Sequence, residues 1–458
     1  MKKENKKDII NDKILESKKT IKEAKKTIKL QKRQIRKRKR EKLKNSQFGK
    51  SKFGKILLKI FFIFSNKDKY SFSELFVMTI ISLVLGFFAC FSVLMILAGG
   101  RNSFRMIKDL GKFYDVYNVL VDNYNGELKK ADLIEKAIDG MVASVGDVYT
   151  NYGDVDTADA FDELVNGTYE GIGCTIQQVE DKIIIIDVYD KSPADKAGLK
   201  SGDIVKTVDN IVAADVGVNR VADYVKTEAK GEIKLIAIRE DKEMEFILKR
   251  DKIEYPNVMS KTFVKNDKKI GYIRISLFSS IANRQFEKEL LKLEKNGIDS
   301  LVIDVRDNSG GYLTTVTDIA SYLLPKGEII YQIQDSKKKK KITKDKTAEK
   351  REYPIAILTD NGSASASEIL AAAIKESYHG YVVGQKTYGK GTVQQVRKLK
   401  DGSMIKYTVE NWLTPDGNWI NNVGIEPTDE VTLNEEYFKE PSDEADNQLQ
   451  KALELVSK

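Results

Sequence analysis

The sequence predicts a multidomain α/β protein carried on a single N-terminal transmembrane helix. A helical segment comes first, then a small α+β module, then an α/β core. Three observations point there. Residues 75–100 contain no charged side chain. Short, near-alternating apolar runs crowd residues 174–248, the pattern of half-buried strands. From residue 269 onward, strand patterns alternate with helical ones, as in a sheet covered by helices.

Leu75 to Gly100 is 26 positions long, and about 20 suffice to cross the hydrocarbon core as a helix. Arg101 ends the run. A secretory signal peptide is the competing reading, but its n-region would be 74 residues long and its apolar core about twice the usual length. Residues 1–74 hold 26 Lys or Arg and 8 Asp or Glu, while the formal net charge of the chain is only +9. The remainder is therefore net acidic. The basic pI describes one tail, and no nucleic-acid partner is expected. By the positive-inside rule the tail lies in the cytoplasm, and everything after residue 101 lies outside a cell membrane crossed once. Within the tail, Ile14, Ile21, Ile28 and Ile35 repeat every seven residues. Their companions Ser17, Ala24 and Gln31 are weak, so a coiled-coil seam and a lipid-associated basic helix both stay open. Lys55–Phe64 (KILLKIFFIF) is apolar and basic enough to lie in the membrane interface.

Cys90 and Cys174 are the only cysteines. With one of them inside the apolar run, no soluble disulfide framework is possible. His379 is the only histidine. That excludes mechanisms needing two imidazoles and any His₂ metal site, and neither metal nor cofactor is expected.

Beyond the membrane segment, 101–168 reads as helical, with Phe104, Ile107, Leu110 and Phe113, then Leu133, Ala137 and Met141, at three- and four-residue spacing. Strands are expected at Cys174–Val179, Ile183–Val188, Ile204–Val208, Ile233–Ile238 and Glu243–Leu248, with short helices at Ala194–Leu199 and Asn219–Thr227. They make a module over 169–253. In the core region 254–432, strands are expected at Gly271–Ile275, Ser300–Val305 and Pro354–Leu358, and helices at Arg284–Lys295, Leu313–Leu323 and Ser367–Lys375. The lysine run 337–341 opens a polar insertion, read as a solvated loop to about residue 350. The segment 433–458 ends in an amphipathic helix, Ala445–Val456.

Three glycine- or serine-rich stretches compete for the chemistry. Asp307-Asn-Ser309-Gly310-Gly311 mimics the stretch around the nucleophile of trypsin-like proteases. Those need an upstream histidine base, and His379 lies downstream, so Ser309 is set aside. Its glycines can still bring a bare backbone N–H close to a ligand. Gly384-Gln-Lys-Thr-Tyr-Gly389-Lys390-Gly391-Thr392 approaches a phosphate-binding loop, which would require a helix opening directly behind it. Ser363-Ala-Ser365-Ala-Ser367-Glu368-Ile369 follows a strand and opens a helix, where the helix dipole favours an oxyanion. On local chemistry alone these serines could equally be N-caps.

The stretch N-x-S-A-S-A-S-E-I, followed by G-x-K-T-Y-G-K-G-x-V-Q, resembles the active-site signature of the carboxyl-terminal processing peptidases, the S41 serine proteases. The likeness covers about 104–457 and includes Gly167-Thr-Tyr-Glu-Gly171-Ile-Gly173, Ser192–Asp203, Thr414-Pro-Asp-Gly417 and Asp446-Asn-Gln-Leu. It implies a nucleophile at Ser365, a lysine base at Lys390, 25 residues later, and Gln394 orienting that lysine through a hydrogen bond. It implies an oxyanion hole made by the N–H groups of Ala366 and Gly311. It also implies an S41-type protease core and, over 169–253, a PDZ domain. There Gly171-Ile172-Gly173 would capture the terminal carboxylate of protein or peptide substrates with free, mostly apolar C-termini. Departures are Asp147-Val-Tyr-Thr150, Gly417-Asn-Trp-Ile420 and Pro427-Thr-Asp429, expected to touch only the rim. The apolar stripes of 104–141 and 445–456 lack an obvious intrachain partner, so pairing in a homodimer is expected, as in family members that dimerise. A membrane-tethered PDZ scaffold with a vestigial protease core is the alternative; intact Ser365, Lys390 and Gln394 argue against it.

Overall fold

The computed structural model describes residues 4–46, 50–51, 55, 71–97, 102–347 and 351–458. Most of the KILLKIFFIF segment and Arg101 lie outside the described residues. The chain divides into two units, 1–128 and 129–458.

The first unit is helical: Glu4–Asn45, Phe72–Leu97 and Asn102–Asn123. Ile14, Ile21, Ile28 and Ile35 are all about half exposed on the first of these. Phe76–Val93 has a mean hydropathy of 2.4, and none of it is buried within the protein. Among the described residues, its helix is the one long and apolar enough to cross a membrane.

In the second unit, a six-stranded sheet runs Val258–Lys265, Lys268–Ile275, Ser300–Asp304, Ile355–Thr359, Tyr381–Gly384, Asp429–Glu430. The first pair is antiparallel and the rest are parallel. Every residue of Ser300–Asp304 and Ile355–Thr359 is buried. That is the pattern of strands covered on both faces. Alternation sorts the side chains. Leu301, Ile303, Ile355 and Ile357 pack with the helices Ala282–Lys295, Leu313–Leu323 and Ala366–Ala372. Val302, Ala356 and Leu358 face the other way, onto Leu449, Ala452, Leu453 and Val456 of the C-terminal helix Asn447–Val456.

This corrects one expectation. The stripe of the C-terminal helix has an intrachain partner, the rear face of the central sheet. The helix is also pinned at its start: the Arg306 guanidinium donates to Asp304 at 2.7 Å and to its N-cap Asp446 at 2.8 Å. The lysine run needs correction too. Lys340–Lys344 is a strand paired antiparallel with Ile329–Gln334, because ladder bonds use only backbone and an edge strand leaves lysine side chains in water.

A second sheet joins Asn151–Gly153, Met404–Leu413, Ile329–Gln334 and Lys340–Lys344, with Thr392–Lys398 also on Met404–Leu413. The short strand 151–153 lies within the segment read as wholly helical; it borrows the edge of 404–406. Residues 392–398 being a strand, no helix opens behind Gly391, and the phosphate-loop reading fails.

The remaining module has strands Cys174–Val179, Lys182–Val188, Ile204–Val208, Glu232–Arg239 and Lys242–Lys249 in that spatial order, with Cys174–Val179 at the edge. A two-stranded ribbon, Thr168–Gly171 with Asp251–Glu254, joins its two ends.

Candidate active site

The strand Ile355–Thr359 runs into a tight turn before the helix Ala366–Ala372. Asp360 Oδ1 accepts from the N–H groups of Gly362 and Ser363 at 3.0 and 2.9 Å and so closes the turn. The three serines separate by role. Ser363 Oγ donates to the Val305 carbonyl and Ser367 Oγ to the Asn308 carbonyl, each at 2.8 Å, and both residues are fully buried. Ser365 is partly exposed. Its backbone takes φ 55°, ψ −110°, a left-side conformation that a β-carbon makes costly and that recurs at functional turns.

The glycine turn 307–311 lies against this serine. Asn308 ties the two segments together: its carbonyl accepts from Ala364 N at 3.0 Å, and its side chain reaches the Ile275 carbonyl at 2.8 Å. Gly310 N is spent on Asn308 Oδ1. Gly311 bridges to Phe278 through its neighbours, since Phe278 N donates to Gly310 O and Tyr312 N to Phe278 O. The N–H groups of Gly311 and Ala366 themselves donate to no acceptor among the described residues. Two unspent donors beside a partly exposed serine are what an oxyanion hole requires. Ser309 is exposed, and His379 sits at the far end of the helical stretch that Ser365 begins.

Lys390 reaches the same place from the loop after Tyr381–Gly384. The device that joins them is Glu368. This carboxylate is fully buried and accepts four hydrogen bonds: Thr387 Oγ1 at 2.6 Å and Gly389 N at 2.7 Å on Oε1, and Lys390 N and Ser365 N, both at 2.8 Å, on Oε2. Its spacing from Ser365 is that of a capping box. Burial pushes the Glu368 carboxyl up, against the pull of its four donors. Trp412 and Trp419 secure the Gly-Lys-Gly loop by donating to the carbonyls of Lys390 and Gly391. Lys390 Nζ has no ion-pair partner among the described residues. Burial, and then the like charge of Lys406, hold its pKa below the ordinary lysine value, while Glu368 and Asp147 pull the other way.

Gln394 does not hydrogen-bond Lys390. Its Nε2 donates to Thr392 Oγ1 at 2.8 Å and Thr408 Oγ1 at 3.2 Å, leaving Oε1 as an acceptor. Thr408 in turn donates to Asp147 Oδ2 at 2.6 Å. Asp147 also accepts from Thr150 Oγ1 and from Tyr149 N. The face of the Tyr149 ring lies against Lys390, with Nζ 4.8 Å from its centroid. Two of the departures therefore lie at the site and not at a rim: the Asp147 turn contacts Lys390 and, through Thr408, Gln394, while Trp419 holds Gly391. Glu368 and Tyr149 were missed as functional residues. For Glu368 the capping-box spacing was a usable signal; for Tyr149 nothing local was.

A cavity of about 400 Å³ lies between the edge strand Cys174–Val179 and the helix Ala213–Asp223. Ile185, Val205, Val208, Val221 and Leu235 line its floor. At one end, Gly171, Ile172 and Gly173 form the loop. Carbonyls of Ile172 and Gly173 are bonded by Ala194 N and Tyr189 N, while the N–H groups of Ile172 and Gly173 donate to no acceptor among the described residues. Gly173 has φ +81°, and a β-carbon there would fall 2.3 Å from that of Ser192.

Comparison with known proteins gives the following. Residues 269–431 match peptidase family S41, 96–157 match the activating protease CtpB N-terminal domain, and 171–249 match a PDZ domain. The chain is 38% identical over 323 residues to the carboxy-terminal processing protease CtpB of Bacillus subtilis (strain 168), covering 70% of this chain and 67% of that protein. It is 33% identical over 327 residues to a probable CtpA-like serine protease of Staphylococcus aureus (strain bovine RF122 / ET3-1), covering 71% and 65%. A solved photosystem II D1 C-terminal processing protease aligns with TM-score 0.43 and 25% identity, over 73% of this chain and 92% of that one.

Proposed function

The chain belongs to the S41 serine peptidases of the carboxyl-terminal processing type, and from that premise we propose that it cleaves peptide bonds with a Ser365–Lys390 dyad on substrates selected by their C-termini outside a membrane. The observation that carries the dyad is the shared carboxylate. Ser365 N and Lys390 N end on the same oxygen of Glu368, so nucleophile and base are held by one anchor.

In this reading, neutral Lys390 takes the Ser365 Oγ proton as the oxygen attacks the scissile carbonyl. A lysine near its reference pKa of about 10.4 could not do so at neutral pH, and burial supplies the needed depression. Glu368 does not spoil this, because its lone pairs are directed at four backbone and hydroxyl donors and not at Nζ. Gly311 N–H and Ala366 N–H receive the developing oxyanion. The ammonium then protonates the leaving amine, and water, deprotonated by Lys390, releases the acyl group. Gln394 steadies Lys390 from the Thr408–Asp147 side, with Oε1 as the acceptor that turns to Nζ.

Substrates dock as a further strand on the edge Cys174–Val179, with the terminal carboxylate on Ile172 N–H and Gly173 N–H and an apolar last side chain in the groove. The helix Phe72–Leu97 crosses the membrane, with the basic tail inside. Homodimer contacts fall to the exposed stripe of Leu110, Phe113 and Val116, now that the C-terminal helix is accounted for.

Ser365→Ala and Lys390→Ala should each abolish cleavage, and the double variant should be no worse than either, since groups acting as a unit fail together. Ser309→Ala and His379→Ala should cleave normally. Activity that survives Lys390→Ala and disappears in His379→Ala overturns the dyad.

A further inference from the structure

Four groups face Lys390: Lys406 from the strand Met404–Leu413, Glu368 from the nucleophile helix, and Asp147 and Tyr149 from the turn 147–150. Glu368 is occupied by four donors, none of them Nζ. Asp147 is occupied by Tyr149 N, Thr150 Oγ1 and Thr408 Oγ1. The Tyr149 ring lies over the amine itself, 4.8 Å from Nζ to centroid.

The ring is not there by chance of a loose loop. Asp147 locks the backbone N–H of Tyr149 at 3.1 Å. The next residues form the strand Asn151–Gly153, laddered onto 404–406. Thr408 N donates to Thr150 Oγ1 at 3.3 Å, and the Thr408 hydroxyl links the turn to Gln394. The same small network thus sets the position of the ring and of the glutamine.

We propose that Tyr149 is a positioning residue for Lys390, its ring roofing the amine against water while the Asp147 turn fixes the ring in register with Gln394. The inference rests on Lys390 being the base. The ring acts on the amine in two opposite ways. Keeping water off favours the neutral form, and the π face favours the ammonium. Burial is the largest of the influences on the Lys390 pKa, and in this proposal the ring acts as part of that cover, keeping Lys390 usable near neutrality.

The test uses the full chain in detergent micelles with an internally quenched peptide. In Tyr149→Ala, water reaches Lys390, and the acid limb of kcat/KM should move to higher pH by about one unit. The loss is then roughly tenfold at neutral pH, lies in kcat and not KM, and is recovered in alkali. Tyr149→Phe should restore the wild-type limb. Carbamylation of Lys390 by cyanate, followed by peptide mass mapping across pH, reads the neutral amine whether or not it is catalytic. Its midpoint should rise in Tyr149→Ala. If Lys390→Ala still cleaves, the dyad fails while the labelling still judges the roof. Should the alanine variant lose its cooperative melt, Tyr149→Leu carries the test: it keeps an apolar cover over the amine, drops the π face and should lower the midpoint. A limb and midpoint unchanged in Tyr149→Ala or in its leucine substitute, or kcat/KM scaled down equally at every pH, overturns the proposal.

Discussion

Gly310 lies so close to Ser365 that a β-carbon on the glycine would sit 2.8 Å from the serine's own, and 3.0 Å from Ala366 N. Asn308 leaves the two segments little room to part, since its carbonyl accepts from Ala364 N and its Oδ1 from Gly310 N. Gly310→Ala should therefore push the turn off the nucleophile and misplace Gly311 N. We expect kcat/KM to fall at least ~100-fold, the typical loss of an oxyanion donor. Strain at φ +110° adds about 1–3 kcal/mol of destabilisation. Gly297→Ala is the control. It has φ +75° with no atom within 4 Å, so it should lower the melting temperature and spare activity. Equal activity in the two variants would refute the close-packing argument.

Glu368→Gln should impair cleavage severely although both dyad side chains remain. All four of its partners are donors, two on each oxygen. Whichever way an amide is turned, its NH₂ meets two N–H or O–H groups and cannot accept. Leaving buried donors unsatisfied costs about 1–3 kcal/mol each. Steady-state kinetics should show kcat reduced ~100-fold or more with KM little changed; a variant with wild-type kcat would show that the carboxylate is not the anchor.

Much of this architecture was readable in advance, and the exceptions share a cause. Leu313–Leu323 and Cys174–Val179 begin and end where their patterns do: the helix buries Val316, Ile319, Ala320 and Leu323, and the strand packs Cys174 and Ile176 against the module's core. Periodicity tells which face is apolar and not what covers it, so the stripe on the C-terminal helix was visible while its partner, the sheet rear, was not. Lys340–Lys344 was hidden because its strand character resides in backbone bonds and not in its lysines. At the site, Ser365 and Lys390 stand in contiguous motifs. The Asp147–Thr408 bond spans 261 residues, and no local pattern foretells it.

Peptide capture should depend on the free carboxylate. A peptide with an apolar C-terminus should bind the full chain carrying Ser365→Ala, and C-terminal amidation should abolish binding by removing the charge that Ile172 and Gly173 N–H groups receive. Gly173→Ala forces a contact of 2.3 Å with Ser192 and should close the loop to the acid as well. Fluorescence anisotropy reads both. Equal affinity for acid and amide would remove the loop from the mechanism.

Topology can be checked on intact cells. The basic tail and the helix Phe72–Leu97 place residues from 102 on outside, so added protease should digest the C-terminal part and spare an N-terminal epitope. The reverse pattern would put the active site in the cytoplasm.

The base should leave a signature in stability as well as in rate. The folded-state pKa of Lys390 is depressed below the ordinary value of 10.5, with burial the main cause. A depressed amine binds its proton less tightly in the folded chain than in the unfolded one. Between the folded and unfolded pKa values the unfolded state holds more protons, so stability rises with pH across that window. Below the folded pKa, the native state carries an ammonium it solvates poorly. Lys390→Met removes that burden at similar volume. It should raise the melting temperature at neutral pH, with a gain that shrinks as pH rises through the window and vanishes above it. Cleavage should be lost at every pH. In the wild type, the rise in stability should set in at the midpoint of the acid limb of kcat/KM and level off near the unfolded value, because both report the proton on folded Lys390. Calorimetry across pH, set beside the rate profile, decides it: a Lys390→Met gain that is flat with pH would mean that the lysine is not the group that titrates.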